Sequence, residues 1–136
     1  MQIAPCLTEL RDGWFPHTTD AGLDRLIDLL ETGNPMLIHG AFTRALPMGC
    51  LATHIAWHHP ATEGLSIEAG ITWLSHVAGL NPATSQVIRA WDCGGHHDWE
   101  LRWALLAACK EERARRQEQA RSTQPPSRCK LELVKA

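Results

Sequence analysis

Residues 19–33 read TDAGLDRLIDLLETG, and this stretch decides the fold class. Leu23, Leu26, Ile27 and Leu30 recur at i, i+3, i+4 and i+7, which gathers them on one face of a helix. Asp24, Arg25, Asp28 and Glu31 take the other side. Thr19 or Asp20 can cap the start, because a short side-chain oxygen there accepts from an N–H that has no partner in the helix. Gly33 suits the left-handed position just past the end, and Pro35 prevents continuation. One apolar face has to be buried against other elements, so the rest of the chain is read for partners.

The next readable stretch is central. Residues 49–59, GCLATHIAWHH, lie between Pro47 and Pro60 and form a short helix between two breakers. Cys50, His54 and His58 stack at i, i+4 and i+8 in one stripe, beside Leu51 and Ile55. Between the two helices, residues 36–39 (MLIH) are a short apolar run that fits either a buried strand or a helical turn. Gly40 to Pro47 reads as a loop with Phe42 and Leu46 packed inward.

Downstream, Ser66 is expected to cap a helix with Ile67, Ile71, Leu74, Val77 and Ala78 inside, ended by Gly79. Asn81 is expected to cap a further helix with Pro82 at its first position and Val87, Ile88 and Trp91 inside. Asp92 to Gly95 reads as a turn, and Asp98 as the cap of the last helix. That helix buries Leu101, Leu105, Ala108 and Cys109. From Lys110 to Arg121 it is polar almost all round, which predicts a helix half that projects or packs on a second subunit. Upstream of Thr19 the chain reads as irregular, with Gly13, Pro16 and the anchors Trp14 and Phe15. The expectation is a mainly α fold, a compact bundle of about five short helices with a minor short strand as an option. Residues 1–121 form one helical domain in this reading, and 122–136 a flexible basic tail.

A chain of 136 residues is about one domain and long enough for a core without disulfide staples. The apolar and charged fractions, 44% and 21%, are those of an ordinary globular protein. Five cysteines without regular spacing argue against a disulfide framework and for a reducing, cytoplasmic setting. The N-terminus lacks a secretory pattern, and no stretch approaches the roughly 18 apolar residues of a membrane span. Residues 1–109 hold 5 Lys/Arg against 11 Asp/Glu, a net of −6, and residues 110–136 hold 8 against 4, a net of +4. An acidic body with a basic end can pair with a second copy, fold back on itself or touch phosphates.

Three constellations carry possible chemistry. Cys50 and His54 lie one turn apart and could share a zinc ion with Cys93, His96 or His97, where Gly94 and Gly95 let the chain bend. No C-x-x-C pair is present, and a buried cysteine is equally a small hydrophobe. Cys50 near a helix start could instead be a nucleophile, with His96 or His97 as base and Asp92 or Asp98 behind it. No oxyanion hole can be read, so the reading stays non-enzymatic. Residues 71–91, ITWLSHVAGLNPATSQVIRAW, resemble the helix-turn-helix of phage-type repressors, most closely over Ala78 to Thr84. That resemblance implies that Thr84, Ser85, Gln86 and Arg89 face a major groove. It departs from the pattern where Ser85 replaces an apolar core residue and Ser75 a small alanine, and phosphate contacts need cations that the acidic body lacks.

A wider likeness runs from about residue 20 to 110. Carried by Cys50-Leu51, Val87-Ile88, Trp91-Asp92 and Leu101 to Leu105, the chain resembles small uncharacterised helical proteins of bacteria and phages. It implies one continuous helical domain and no activity. Trp99 and Trp103, one turn apart on the last helix, are the expected interface of a self-associating binding protein, a homo-oligomer with nucleic acid and zinc as alternative partners.

Overall fold

The computed structural model describes residues 3–123. They form helices α1 (Ile3–Glu9), α2 (Asp20–Thr32), α3 (Leu51–Ala56), α4 (Ala69–Thr72), α5 (Gln86–Gly94) and α6 (Trp99–Thr123). A wider π turn extends α1 over Leu10–Trp14 and α4 over Trp73–Val77. Tight 3-10 turns follow at Phe15–His17 and Gly95–His97. The fold is mainly α, and among the described residues no strand forms.

Helix α2 follows its sequence pattern. The Thr19 hydroxyl accepts from Gly22 N–H at 3.1 Å and donates to the His58 carbonyl at 2.6 Å. Gly33 ends the helix at φ +64°. Leu23, Leu26, Leu29 and Leu30 are buried and Ile27 half-buried. Against this face lies α3, whose six residues are all buried. The central helix is therefore the middle of the core, and α4 crosses it from the other side.

Three tryptophans fill the interior. Trp14, Trp73 and Trp91 are 0% exposed, and each indole N–H finds an acceptor: Glu9, the His17 carbonyl and the Ile38 carbonyl. Buried indoles keep their solvation only in this way. Trp14 meets Trp73 edge-on at 5.4 Å between ring centres.

Several expectations are corrected. Residues 3–17 are helical and not irregular, because Cys6, Leu10 and Trp14 share one buried face, while Pro5 sits in the first turn where it removes no needed donor. The 36–39 run makes single bridges, Leu37 to Gly49 and nothing longer, since Gly40 at φ +83° turns the chain away. Leu46 is 55% exposed, and the inward face of α4 is Ala69, Gly70, Trp73 and Leu74, which leaves Ile67 and Ile71 outside. Glu68, not Ser66, precedes that helix.

As far as Arg116 the polar half of α6 lies along its own chain and does not project. Lys110 pairs with Glu31, Arg113 with Asp24 at 2.5 Å and Arg116 with Asp20 at 2.8 Å, so α6 runs antiparallel along α2. Of the three options open to an acidic body and a basic end, this stretch folds back on its own chain. Gln117 to Thr123 are exposed. The tail expected over 122–136 lies outside the described residues beyond Thr123.

Candidate functional site

Cys50 and His54 sit where the core is densest. Cys50 is 2% exposed and its Sγ lies 3.6 Å from the Thr53 hydroxyl. Burial pushes the thiol up, against the lowering pull of the Thr53 and Ala52 hydrogen bonds. His54 is 1% exposed, and its Nε2 lies 2.7 Å from the Met36 carbonyl. A carbonyl only accepts, so Nε2 carries the hydrogen. Burial, with Arg25 and His58 nearby, lowers this imidazole to about 4 and keeps it neutral. The Trp57 ring packs edge-on against it at 5.3 Å. His58 stacks one turn on, with Nδ1 donating to the His54 carbonyl at 2.9 Å.

The other half of the supposed zinc set is elsewhere engaged. Cys93 is exposed, and His96 Nε2 donates to the Asn34 carbonyl at 3.2 Å. Among the described residues no three His, Cys, Asp or Glu side chains gather to hold a metal ion. The five residues Cys50, His54, Cys93, His96 and His97 therefore do not converge. What the turn after α5 does assemble is a different group. His96 and His97 meet His39 and Arg44 around a cleft of about 300 Å³ with Leu37 and Ile38 in its wall. The His39 and His97 rings stand edge to face, 6.5 Å between centres, and Trp91 packs edge-on against His96 at 5.3 Å. His39 and Arg44 carry no sequence signal for this role, since His39 ends a run readable only as apolar and Arg44 lies in the loop after it.

The segment resembling a helix-turn-helix folds with its second helix starting later than expected. Asn81 organises one turn, its side chain accepting from Ala83 N–H and its carbonyl from Thr84 and Ser85 N–H. Helix α5 begins at Gln86 with Ser85 as cap, its hydroxyl accepting from Ile88 N–H. Glu9 of α1 covers the same end: its carboxylate accepts from the Ser85 hydroxyl at 2.6 Å, Gln86 N–H at 2.8 Å and Val87 N–H at 3.2 Å. Ser85 is buried and does not face solvent, whereas Thr84, Gln86 and Arg89 are exposed. A carboxylate thus occupies the positive end of the helix that a DNA phosphate would otherwise meet.

Trp99 and Trp103 are the exposed aromatics, 59% and 50% open. The two ring centres are 6.1 Å apart, and the Arg102 guanidinium lies beside the pair, 5.0 Å from the Trp99 ring centre and 5.5 Å from that of Trp103. Arg102 is itself 8% exposed, and it donates to the Leu30 and Glu31 carbonyls at the end of α2. The guanidinium closes one helix and fixes the two rings on another, so the pair is held before any partner arrives. Helical spacing puts Ala107, Lys110 and Ala114 on the same stripe of α6.

No family model matches this chain, and neither does any curated protein or solved structure.

Proposed function

We propose that the protein is a binding module without chemistry of its own, which pairs with a second copy through the Trp99–Trp103 stripe of α6. The observation behind this reading is the half-open tryptophan pair fixed on a buried arginine. The stripe is large at one end and small further on, where Ala107 and Ala114 are exposed. Two antiparallel copies of α6 set Trp103 of each over Ala107 of the other and bring Glu100 opposite Lys110. That is the self-complementary pattern of a two-fold interface. Covering both rings is worth about 6 kcal/mol of gross transfer energy per chain. The two chains together supply about 12 kcal/mol, so with the association cost at the low end of about 4–15 kcal/mol the dimer is at tightest micromolar.

The four free cysteines among the described residues suit a reducing, cytosolic setting. No described helix is long and apolar enough to cross a membrane. A nucleic-acid role has less support: Glu9 covers the start of α5, and three cations of α6 are paired with α2.

Sedimentation velocity over a micromolar to millimolar range tests the proposal. The unaltered chain is expected to dimerise, and W99A/W103A and Ala107→Arg to remain monomeric. Ala107 is exposed, so its arginine variant leaves the fold intact. A strict monomer at every concentration, or a dimer indifferent to both variants, would overturn it.

A further inference from the structure

We propose that the cleft between residues 37–44 and the Gly95–His97 turn binds a phosphoryl oxyanion, with Arg44, His39 and His97 as its donors. The cleft holds about 300 Å³, enough for a phosphate and a small organic remainder. Its lining carries three imidazoles and one guanidinium and no carboxylate. That is a marked local reversal, because residues 1–109 have a net charge of −6 with only 5 Lys/Arg. Among the described residues Arg44 makes no ion pair, unlike the cations of α6 that lie along α2. A planar guanidinium without a carboxylate partner is the side chain best matched to two oxygens of one anion.

The neighbouring groups fix the backbone around His39. Trp91 Nε1 donates to the Ile38 carbonyl at 2.9 Å, and Gly40 N–H donates to the Asp92 carboxylate at 2.9 Å. Asp92 therefore stands behind the loop, with one oxygen engaged there, and is not part of the cleft wall. Gly95 lets His39 lie close: a Cβ built there would come within 2.8 Å of His39 Cγ. The His39 and His97 ring centres are 6.5 Å apart with the rings edge to face, so both imidazoles border the same cleft. Every imidazole has an N–H in either neutral tautomer, and a second when protonated. Arg44, His39 and His97 thus offer a donor to each of the three terminal oxygens of a phosphoryl group, where a carboxylate has only two to fill them. Buried Leu37 and Ile38 form the apolar floor beside these donors.

The test uses the full chain and inorganic phosphate, followed through the histidine ring and arginine side-chain NMR signals, with acetate and chloride at matched ionic strength. Phosphate is expected to shift His39, His97 and Arg44 in a saturable manner. Arg44→Gln, at an exposed position without structural partners, is expected to weaken binding about tenfold or more. His97→Gln, also exposed, is expected to weaken it in the same direction. Unsaturated shifts equal to those with chloride, or affinity unchanged in both variants, would overturn the site. Acetate binding as tightly as phosphate would overturn its assignment to phosphoryl groups. Because neither variant touches α6, dimerisation and anion binding fail separately.

Discussion

Acidification from pH 7 to 5 is expected to remove about 2 kcal/mol of stability through His54 alone. The ring titrates at an ordinary value of 6.5 in the unfolded chain and at about 4 in the fold, with burial as the main cause. Between those values the unfolded state binds the proton and the folded state does not. Stability is therefore full above pH 6.5 and falls as pH drops toward 4. The whole interval is worth about 3.4 kcal/mol, and a little over half of it falls between pH 7 and 5. His96 is lowered too, mainly by burial, and adds in the same direction. Burial raises the Glu112 carboxyl, but hydrogen bonds from Arg115 and Arg116 outweigh it and hold it below its ordinary 4.5, so its contribution is lost only at more acidic pH.

The assay is denaturant unfolding followed by tryptophan fluorescence at several pH values, for the unaltered chain and for His54→Gln. Glutamine keeps an amide donor near the Met36 carbonyl and cannot titrate. The unaltered chain is expected to lose about 2 kcal/mol more than the variant over this interval. Equal losses in both proteins would refute the reasoning. So would an NMR titration placing the His54 ring near its ordinary value, a measurement that stands even if the variant folds poorly.

Two further outcomes follow from the core. At Gly70, where α4 crosses α3, an added Cβ would stand 2.8 Å from Thr53 N and 2.9 Å from Thr53 Cα. Alanine normally gains about 1 kcal/mol in a helix, but this contact with backbone costs more, so Gly70→Ala is expected to lose about 2 kcal/mol net and roughly 6 °C in Tm by calorimetry. Among the four described cysteines Cys93 alone is exposed, while burial raises Cys6 to about 11 and Cys109 to about 12 and also raises Cys50. Brief alkylation at neutral pH with mass mapping is expected to mark Cys93 and to spare those three until denaturant is added. Labelling of Cys50 in the native protein would remove α3 from the core.

What could be read from the sequence depended on the range over which each interaction acts. Helix α2 was legible because its face, its cap and its terminal glycine all lie within one stretch. The start of α5 was not, since Glu9 helps to fix it across 77 residues of chain. A proline after Asn81 looks like a first helical residue, yet it serves a single turn. The basic half of α6 was read as charged all round, and only the antiparallel placement of α2 reveals acids spaced to receive it. Gly13 and Pro16 hid the helix before them, because breakers near its end outweighed the Cys6, Leu10 and Trp14 periodicity. For the histidines, His96 and His97 were recognised as a pair but assigned to Cys50. Their real neighbours, His39 and Arg44, arrive through a bend at Gly40 that no local pattern announces.

The same accounting separates interior from surface. His54 is held by Met36, Thr53 donates to the Phe42 carbonyl, Arg102 to Leu30 and Glu31, and Glu9 collects four donors. Side chains bound in this way inside a core fix the helices and loops that they join. The exception among buried side-chain atoms is His96 Nδ1, which has no partner in the described residues. It belongs to the residue that lines the cleft beside Arg44. Arg102 links interior to surface: it donates to the carbonyls at the end of α2 and lies against the Trp99–Trp103 pair.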